Sequence, residues 1–251
     1  MSSAATDKAW ETLGRVDPYW AVISNDAYHG RRLTDQQLAA FLKSGADHVD
    51  DIWRSCRRLF GDDFAPRRVL DFGCGVGRVT LPLARRVDAV VAIDIADSML
   101  AVARELLERH GVTNVELVRG DATLSAIHGP FDLVHSVIVL QHIPPAPGLR
   151  LVRRLVELAG DAGVVVLHVL YYNPFGRSPL ARLAHRLLAP LRDRYRRVPE
   201  IQMNPYPLNT LFKLIQDAGV RHIHAELTNH AGHLGALLYF RKGDSKSAFE
   251  N

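Results

Sequence analysis

The run Val69-Leu70-Asp71-Phe72-Gly73-Cys74-Gly75-Val76-Gly77-Arg78 constrains this chain more than any other stretch, because an apolar strand ends in an acid and passes straight into alternating glycines. Glycine at alternate positions lets a backbone turn tightly and approach a ligand closely. A helix predicted over residues 76–86 presents its unpaired N–H groups to whatever the loop holds. The spacing departs from the G-x-G-x-x-G pattern that cradles a pyrophosphate at a helix start. Here the third glycine comes one residue early and an acid precedes the first. A carboxylate at that position opposes an anionic pyrophosphate and suits a ligand carrying positive charge.

A second apolar strand, 89–93, ends in Asp94, which lies 23 residues after Asp71. An acid at that offset can accept hydrogen bonds from two ribose hydroxyls. A third strand, 115–119, runs into Gly120-Asp121-Ala122, and a fourth carries Phe131-Asp132-Leu133-Val134-His135-Ser136. Together with Ala92-Ile93-Asp94-Ile95-Ala96-Asp97-Ser98-Met99-Leu100, these ordered motifs make residues 66–241 resemble the class I S-adenosylmethionine-dependent methyltransferases. The resemblance implies a Rossmann-like α/β fold, with a sheet of seven strands, mostly parallel with an antiparallel last strand, and helices on both faces. It implies S-adenosyl-L-methionine as the methyl donor and S-adenosyl-L-homocysteine as the product, and the donor's ammonium and sulfonium answer the acidic strand ends.

The same resemblance assigns roles. Asp71 faces the methionine ammonium, Asp94 the ribose diol, and Asp121 the adenine amino group, with the Ala122 N–H beside a ring nitrogen. Gly73, Cys74 and Gly75 form the cofactor loop, Ile95 and Met99 pack on adenine and ribose, and Ser136 completes the cofactor set. Arg78, in the first turn of the predicted helix, reads either as the partner of the methionine carboxylate or as a solvated helix arginine.

Apolar spacing gives a helical cover over residues 1–65, with Leu38, Phe41 and Leu42, then Val49, Ile52, Trp53, Cys56 and Leu59 at helical intervals, and Ser44-Gly45 breaking the two pieces. Trp20 in this cover is expected to anchor the core or to close over the methionine end of the cofactor. Residues 66–251 form the second region. There the strands alternate with helices at 98–110 and 147–158, and a fifth strand at 164–170 follows the fourth at 133–136. Such alternation builds a parallel sheet covered on both faces, with ligands beyond the strand C-termini.

After the fifth strand, residues 171–207 stand where a short turn is expected. Leu180, Leu183, Leu187, Leu188 and Leu191 form a stripe beside Arg177, Arg182, Arg186, Arg192, Arg194, Arg196 and Arg197. That pattern predicts an amphipathic helix serving as a lid or a dimer contact. A helix over 208–218 follows, then a hairpin of strands 223–227 and 234–241 around a 228–232 loop, and a frayed tail over 242–251.

Hydrophobic content of 47% with 23% charged residues fits a globular enzyme. No apolar run approaches the ~20 residues that cross a bilayer, and the N-terminus lacks the apolar stretch of a signal peptide, so a cytoplasmic location is expected. Cys56 and Cys74 are too few for a disulfide scaffold and are expected to be reduced. The net charge of +4 is mild, and no nucleic-acid module is present. The fourth strand is followed by Val137-Ile138-Val139 rather than an Asn-Pro-Pro-Tyr type sequence, which disfavours methylation of base amino groups within the resembled family. The expected partner is a small-molecule acceptor, with no nucleic acid and no membrane span, and the chain is expected to be a monomer or homodimer.

Methyl transfer mainly requires an aligned acceptor, so proton removal is the variable part. His142, in Val139-Leu140-Gln141-His142-Ile143-Pro144, is the candidate general base; a backbone-bonded structural histidine is the alternative. Acceptor contacts are expected from Tyr171, Tyr172, Asn173, Met203, Tyr206, His230 and His233. His142, His230 and His233 also suggest a divalent metal, but no adjacent carboxylate motif supports one and none is assigned. His222 and His224 read as outward-facing. The expected activity is methylation of a hydroxyl of a sugar or natural-product intermediate. The alternatives are an N-methyltransferase for a small amine or peptide, a metal-assisted sugar O-methyltransferase, and a non-catalytic methyltransferase-like binding subunit.

Overall fold

Near-continuous apolar runs such as Val164–Leu170 can be satisfied only between two covering layers, and that is where this chain puts them. In the computed structural model, which describes residues 3–174 and 201–243, the strands are β1 (Arg68–Phe72), β2 (Ala89–Asp94), β3 (Val115–Arg119), β4 (Phe131–Ser136), β5 (Ala159–Tyr172), β6 (Ile223–His230) and β7 (His233–Arg241). They form one sheet in the order β3-β2-β1-β4-β5-β7-β6. Strands β1 to β5 pair in parallel, and β7 lies antiparallel between β5 and β6. This is the Rossmann-like arrangement expected from the motifs. The predicted amphipathic helix with its leucines and arginines, and most of the tail, lie outside the described residues.

The helices are α1 (Ser3–Val16), α2 (Pro18–Val22), α3 (Asp35–Phe60), α4 (Thr80–Ala84), α5 (Asp97–Arg109), α6 (Pro145–Leu158) and α7 (Leu208–Asp217). Alternation along the strands divides the core. Leu70, Val134, Val165 and Leu167 pack with Val152 and Leu155 of α6 and Leu211 and Ile215 of α7. Val69, Leu133, Val164 and Val166 face Val49, Ile52 and Cys56 of α3. The first two helices join a third cluster, in which Leu13 and Ala21 meet Phe41, Val76 and Met99. None of the described helices is long and apolar enough to cross a membrane.

Three local expectations need correction. Helix α3 is continuous: a capping box of Thr34 and Gln37 starts it and Gly61 (φ +116°) ends it, so Ser44-Gly45 is no break. Gly45 is there because a Cβ would fall 2.1 Å from the Arg78 carbonyl oxygen. The helix after the glycine loop is reduced to the five residues of α4, because Gly73, Gly75 and Gly77 sit at φ +78°, +54° and +83° and hold residues 73–79 in turns. The hairpin loop also shrinks to Ala231-Gly232, at φ +52° and +89°, the geometry of a two-residue turn that matches strand twist.

Candidate functional site

A cavity opens at the C-terminal ends of β1, β2 and β4, where the strand order reverses and such sheets receive ligands. Its floor is the glycine loop. The N–H groups of Gly73 and Cys74 both donate to the Ile93 carbonyl at 2.8 Å, which ties the loop to β2. A Cβ on Gly73 would lie 2.3 Å from the Val139 side chain, so this turn needs glycine for closeness as well as for φ.

Three carboxylates stand at successive strand ends. Asp71, almost fully buried, accepts from the Thr80 hydroxyl at 2.7 Å and lies 3.0 Å from His135 Nδ1. Asp94 accepts from the N–H groups of Gly75 at 2.9 Å and Ala96 at 3.0 Å. Burial pushes Asp94 up to about 6 against the pull of the Ala96, Gly75 and Ile95 N–H groups, and the nearby Asp71 charge adds to the rise. Asp121 is exposed and belongs to its own turn; the Thr123 hydroxyl and N–H and the Ser125 hydroxyl hold its carboxyl well below the usual range.

The cations and thiol are also shaped by burial. Arg78 is 9% exposed and donates from Nη1 to Ser44 Oγ at 3.3 Å. Its buried Nε has no partner among the described residues. Burial lowers its pKa, opposed by the Asp71 carboxylate and by Tyr28. The Cys74 thiol is pushed well up by burial and then by the Asp94 and Asp71 charges, so it stays protonated.

Residues 69–163, more than a third of the chain, match a family model described as a methyltransferase domain. This segment is a methyltransferase domain. The chain is 36% identical over 141 residues to the 23S rRNA (uracil(1939)-C(5))-methyltransferase RlmD of Alkalilimnicola ehrlichii, covering 56% of this chain and 30% of that protein. It is 34% identical over 112 residues to the ubiquinone biosynthesis O-methyltransferase of Pseudomonas aeruginosa, covering 44% of this chain and 47% of the relative. The chain thus spans about a third to a half of the length of these relatives.

Among solved structures, the magnesium protoporphyrin IX methyltransferase of Synechocystis PCC 6803 with bound S-adenosylhomocysteine superposes at a TM-score of 0.65 with 19% identity, over 96% of this chain and 100% of that one. The N-methyltransferase NodS of Bradyrhizobium japonicum WM9, also with S-adenosylhomocysteine, gives 0.59 with 15% identity, over 95% and 99%. At such identities the likeness speaks for the fold. S-adenosylmethionine is the donor of this family, and the methyltransferase domain here fits it: the acids suit its cationic groups, and the unpartnered Arg78 Nε suits its carboxylate.

Of the expected cofactor residues, Asp71, Gly73, Cys74, Gly75 and Arg78 line the cavity, as do Ile95, Met99, Asp94, Asp121 and Ala122. Ser136 does not. It is fully buried with no partner for its hydroxyl among the described residues. Successive strand residues face opposite ways, so His135, paired in register with Asp71, takes the cavity side.

The expected acceptor residues scatter. Tyr206 is buried, with its hydroxyl 3.0 Å from the Leu140 and Ile143 carbonyls. Asn173 donates to the Met203 carbonyl at 3.0 Å, and Gln141 Nε2 lies 3.7 Å from the Met203 sulfur. These residues brace the loop after β4 rather than line the cavity. Tyr172 is 52% exposed on β5. His230 and His233 face each other at the hairpin end. No group of three His, Cys, Asp or Glu among the described residues is arranged to hold a metal ion. Trp20 stacks on His29 at 5.0 Å within the N-terminal cluster and is not a cavity residue.

His142 does line the cavity. Its Nδ1 lies 2.7 Å from the Gln202 carbonyl, which fixes the proton on Nδ1. Burial lowers its pKa to about 4, against the pull of the Gln202 and Ile138 carbonyls. The lining residues Thr6, Trp10 and Val22 of the N-terminal helices escaped the sequence reading. Trp10 packs its ring 5.0 Å from that of His142, and nothing local in its helix marks it as a cavity residue.

Proposed function

We propose that this protein transfers a methyl group from S-adenosylmethionine to a hydroxyl of a small molecule, with His142 as general base. The observation that carries the reading is a cavity histidine held in one tautomer by the Gln202 carbonyl at 2.7 Å. The ubiquinone biosynthesis O-methyltransferase relative supports transfer to oxygen. The preference for a sugar finds less support: Ile138, Val139, Ile143 and Trp10 give the cavity a largely apolar wall.

When bound, the donor supplies a methyl already activated by a cationic sulfur. Gly73 and Gly75 let the backbone approach it, Asp94 accepts from the ribose diol, and Arg78 Nε takes the methionine carboxylate. Ile95 and Met99 pack on the adenosine, with Asp121 and the Ala122 N–H at the adenine edge. Burial keeps His142 neutral through the neutral range and makes it a weaker base, so it takes the hydroxyl proton only as the new O–C bond forms and the donor's S–C bond breaks, releasing the neutral thioether S-adenosyl-L-homocysteine. The proton then leaves to solvent.

Calorimetric titration with S-adenosylmethionine and a methyl-transfer assay over phenols, aliphatic alcohols, sugars and amines test this reading. His142→Ala is expected to lower turnover of a hydroxyl acceptor by roughly 100-fold or more while donor affinity holds. Turnover of amines by that variant at near wild-type rates would favour the N-methyltransferase reading.

A further inference from the structure

Behind the cavity wall runs a hydrogen-bonded chain that crosses from sheet to helix. Thr80 Oγ1 donates to Asp71 Oδ2 at 2.7 Å, and Asp71 Oδ1 lies 3.0 Å from His135 Nδ1. His135 Nε2 lies 3.0 Å from Nε2 of His48, which α3 carries against the sheet. Asp71 and His135 are each only 3% or less exposed and both line the donor cavity.

The chemistry of the acceptors fixes the protons. A carboxylate only accepts, so His135 donates from Nδ1. His135 Nε2 and His48 Nε2, 3.0 Å apart, share a single proton between them. With one oxygen held from α4 and the other from β4, the Asp71 carboxylate has no free rotation.

We propose that His135 is a positioning residue for donor binding: backed by His48, it holds Asp71 as a fixed carboxylate, so that the cavity favours the cationic sulfonium donor over its neutral-sulfur product. This rests on the methyltransferase reading above. The two ligands share adenosine, ammonium and carboxylate and differ by one methyl and one positive charge. Their affinity ratio therefore isolates electrostatics from shape, and a charge fixed in a low-dielectric wall acts far more strongly than one in water.

Arg78 beside the glycine loop and His168 on β5 act on His48, and Asp94 on β2 acts on Asp71. Burial, then repulsion from His135, Arg78 and His168, lowers His48 to about 3. The neutral state of His48 is accordingly kept throughout the neutral range.

The test is calorimetric binding of S-adenosylmethionine and S-adenosylhomocysteine to the wild type and to His135→Leu, His135→Asn and His48→Leu, each checked for folding by circular dichroism. His135→Leu is expected to weaken the donor about tenfold more than the product, the scale of a lost charge-assisted hydrogen bond. His135→Asn, whose amide can donate to Asp71 from nearly the same place, restores most of the ratio. His48→Leu shifts it in the same direction by a smaller factor. Equal weakening of both ligands in His135→Leu, or an unchanged ratio, overturns the proposal and leaves methyl transfer standing. A wild type that binds neither ligand overturns the donor reading and this inference together.

Discussion

Single residues here are read by what burial does to their polar atoms. Asp94 is raised to about 6, so it is ionised at pH 8 and takes up a proton on mild acidification. In the proposed role, the ionised form is the one that accepts two ribose hydroxyls. Donor affinity measured by calorimetry is therefore expected to fall as pH drops through about 6, and Asp94→Asn should be weak at every pH and lose that dependence. Tyr206 makes the opposite point. Its hydroxyl satisfies carbonyls of the loop that carries His142, and Gly148 leaves room for it, since a Cβ there would come 1.7 Å from the phenolic oxygen. Tyr206→Phe should cost about 1 to 2 kcal/mol in denaturant unfolding, and donor affinity should change little. The motif acids were legible in sequence because acids at strand ends recur in a fixed order. The choice of His135 over Ser136 was not, because which of two consecutive strand residues faces a ligand depends on pairing with β1.

At the scale of elements, helix α3 does more than cover the sheet. Its buried stripe of Phe41, Gly45, Val49, Ile52 and Cys56 brings a glycine against the Arg78 carbonyl, Ser44 to the Arg78 guanidinium and His48 to His135. A glycine inside a helix costs about 1 kcal/mol relative to alanine, and here the close approach offsets that. Gly45→Ala is expected to destabilise the protein by about 1 to 3 kcal/mol, because the nearest atom is backbone and cannot swing away. Donor affinity should weaken in parallel as Arg78 shifts; a Gly45→Ala protein as stable as the wild type would contradict this contact. Strand positions were legible from apolar runs and turn residues, while the antiparallel β7 followed from the family resemblance. Helix α4 was overestimated because period alone does not register three successive positive-φ glycines.

For the whole molecule, buried imidazoles set the acid limit. Burial is the leading cause that lowers His142 and His168 to about 4 and His48 to about 3. A histidine whose folded pKa lies below its unfolded value of about 6.5 contributes stability that is complete above that value and is lost as pH falls through the folded one. Asp94 works the other way: its contribution is complete below its ordinary value of 3.8 and is lost as pH rises through about 6. Three imidazoles outweigh one acid, so denaturant-derived stability should fall between pH 6.5 and 4. His168→Gln should shallow that slope, even where it lowers stability at pH 8. The first two helices are part of the same unit. Their Leu13 and Ala21 share a cluster with Val76 and Met99, and Thr6, Trp10 and Val22 form part of the cavity wall. Deleting residues 1–23 is expected to abolish measurable donor binding by calorimetry.

By itself the sequence determined the element order, the alternation that builds a parallel sheet, and the glycine loop with acids at three strand ends, because these depend on local periodicity and on short motifs; the reversed last strand followed from the family resemblance. Only the tertiary structure decided that α3 runs unbroken, that Tyr206 and Met203 brace a loop, that Trp10 reaches the cavity and that His48 stands behind His135. Each of these is a contact between segments far apart in the chain, where the geometry of packing, rather than the neighbouring residues, determines which side chain meets which.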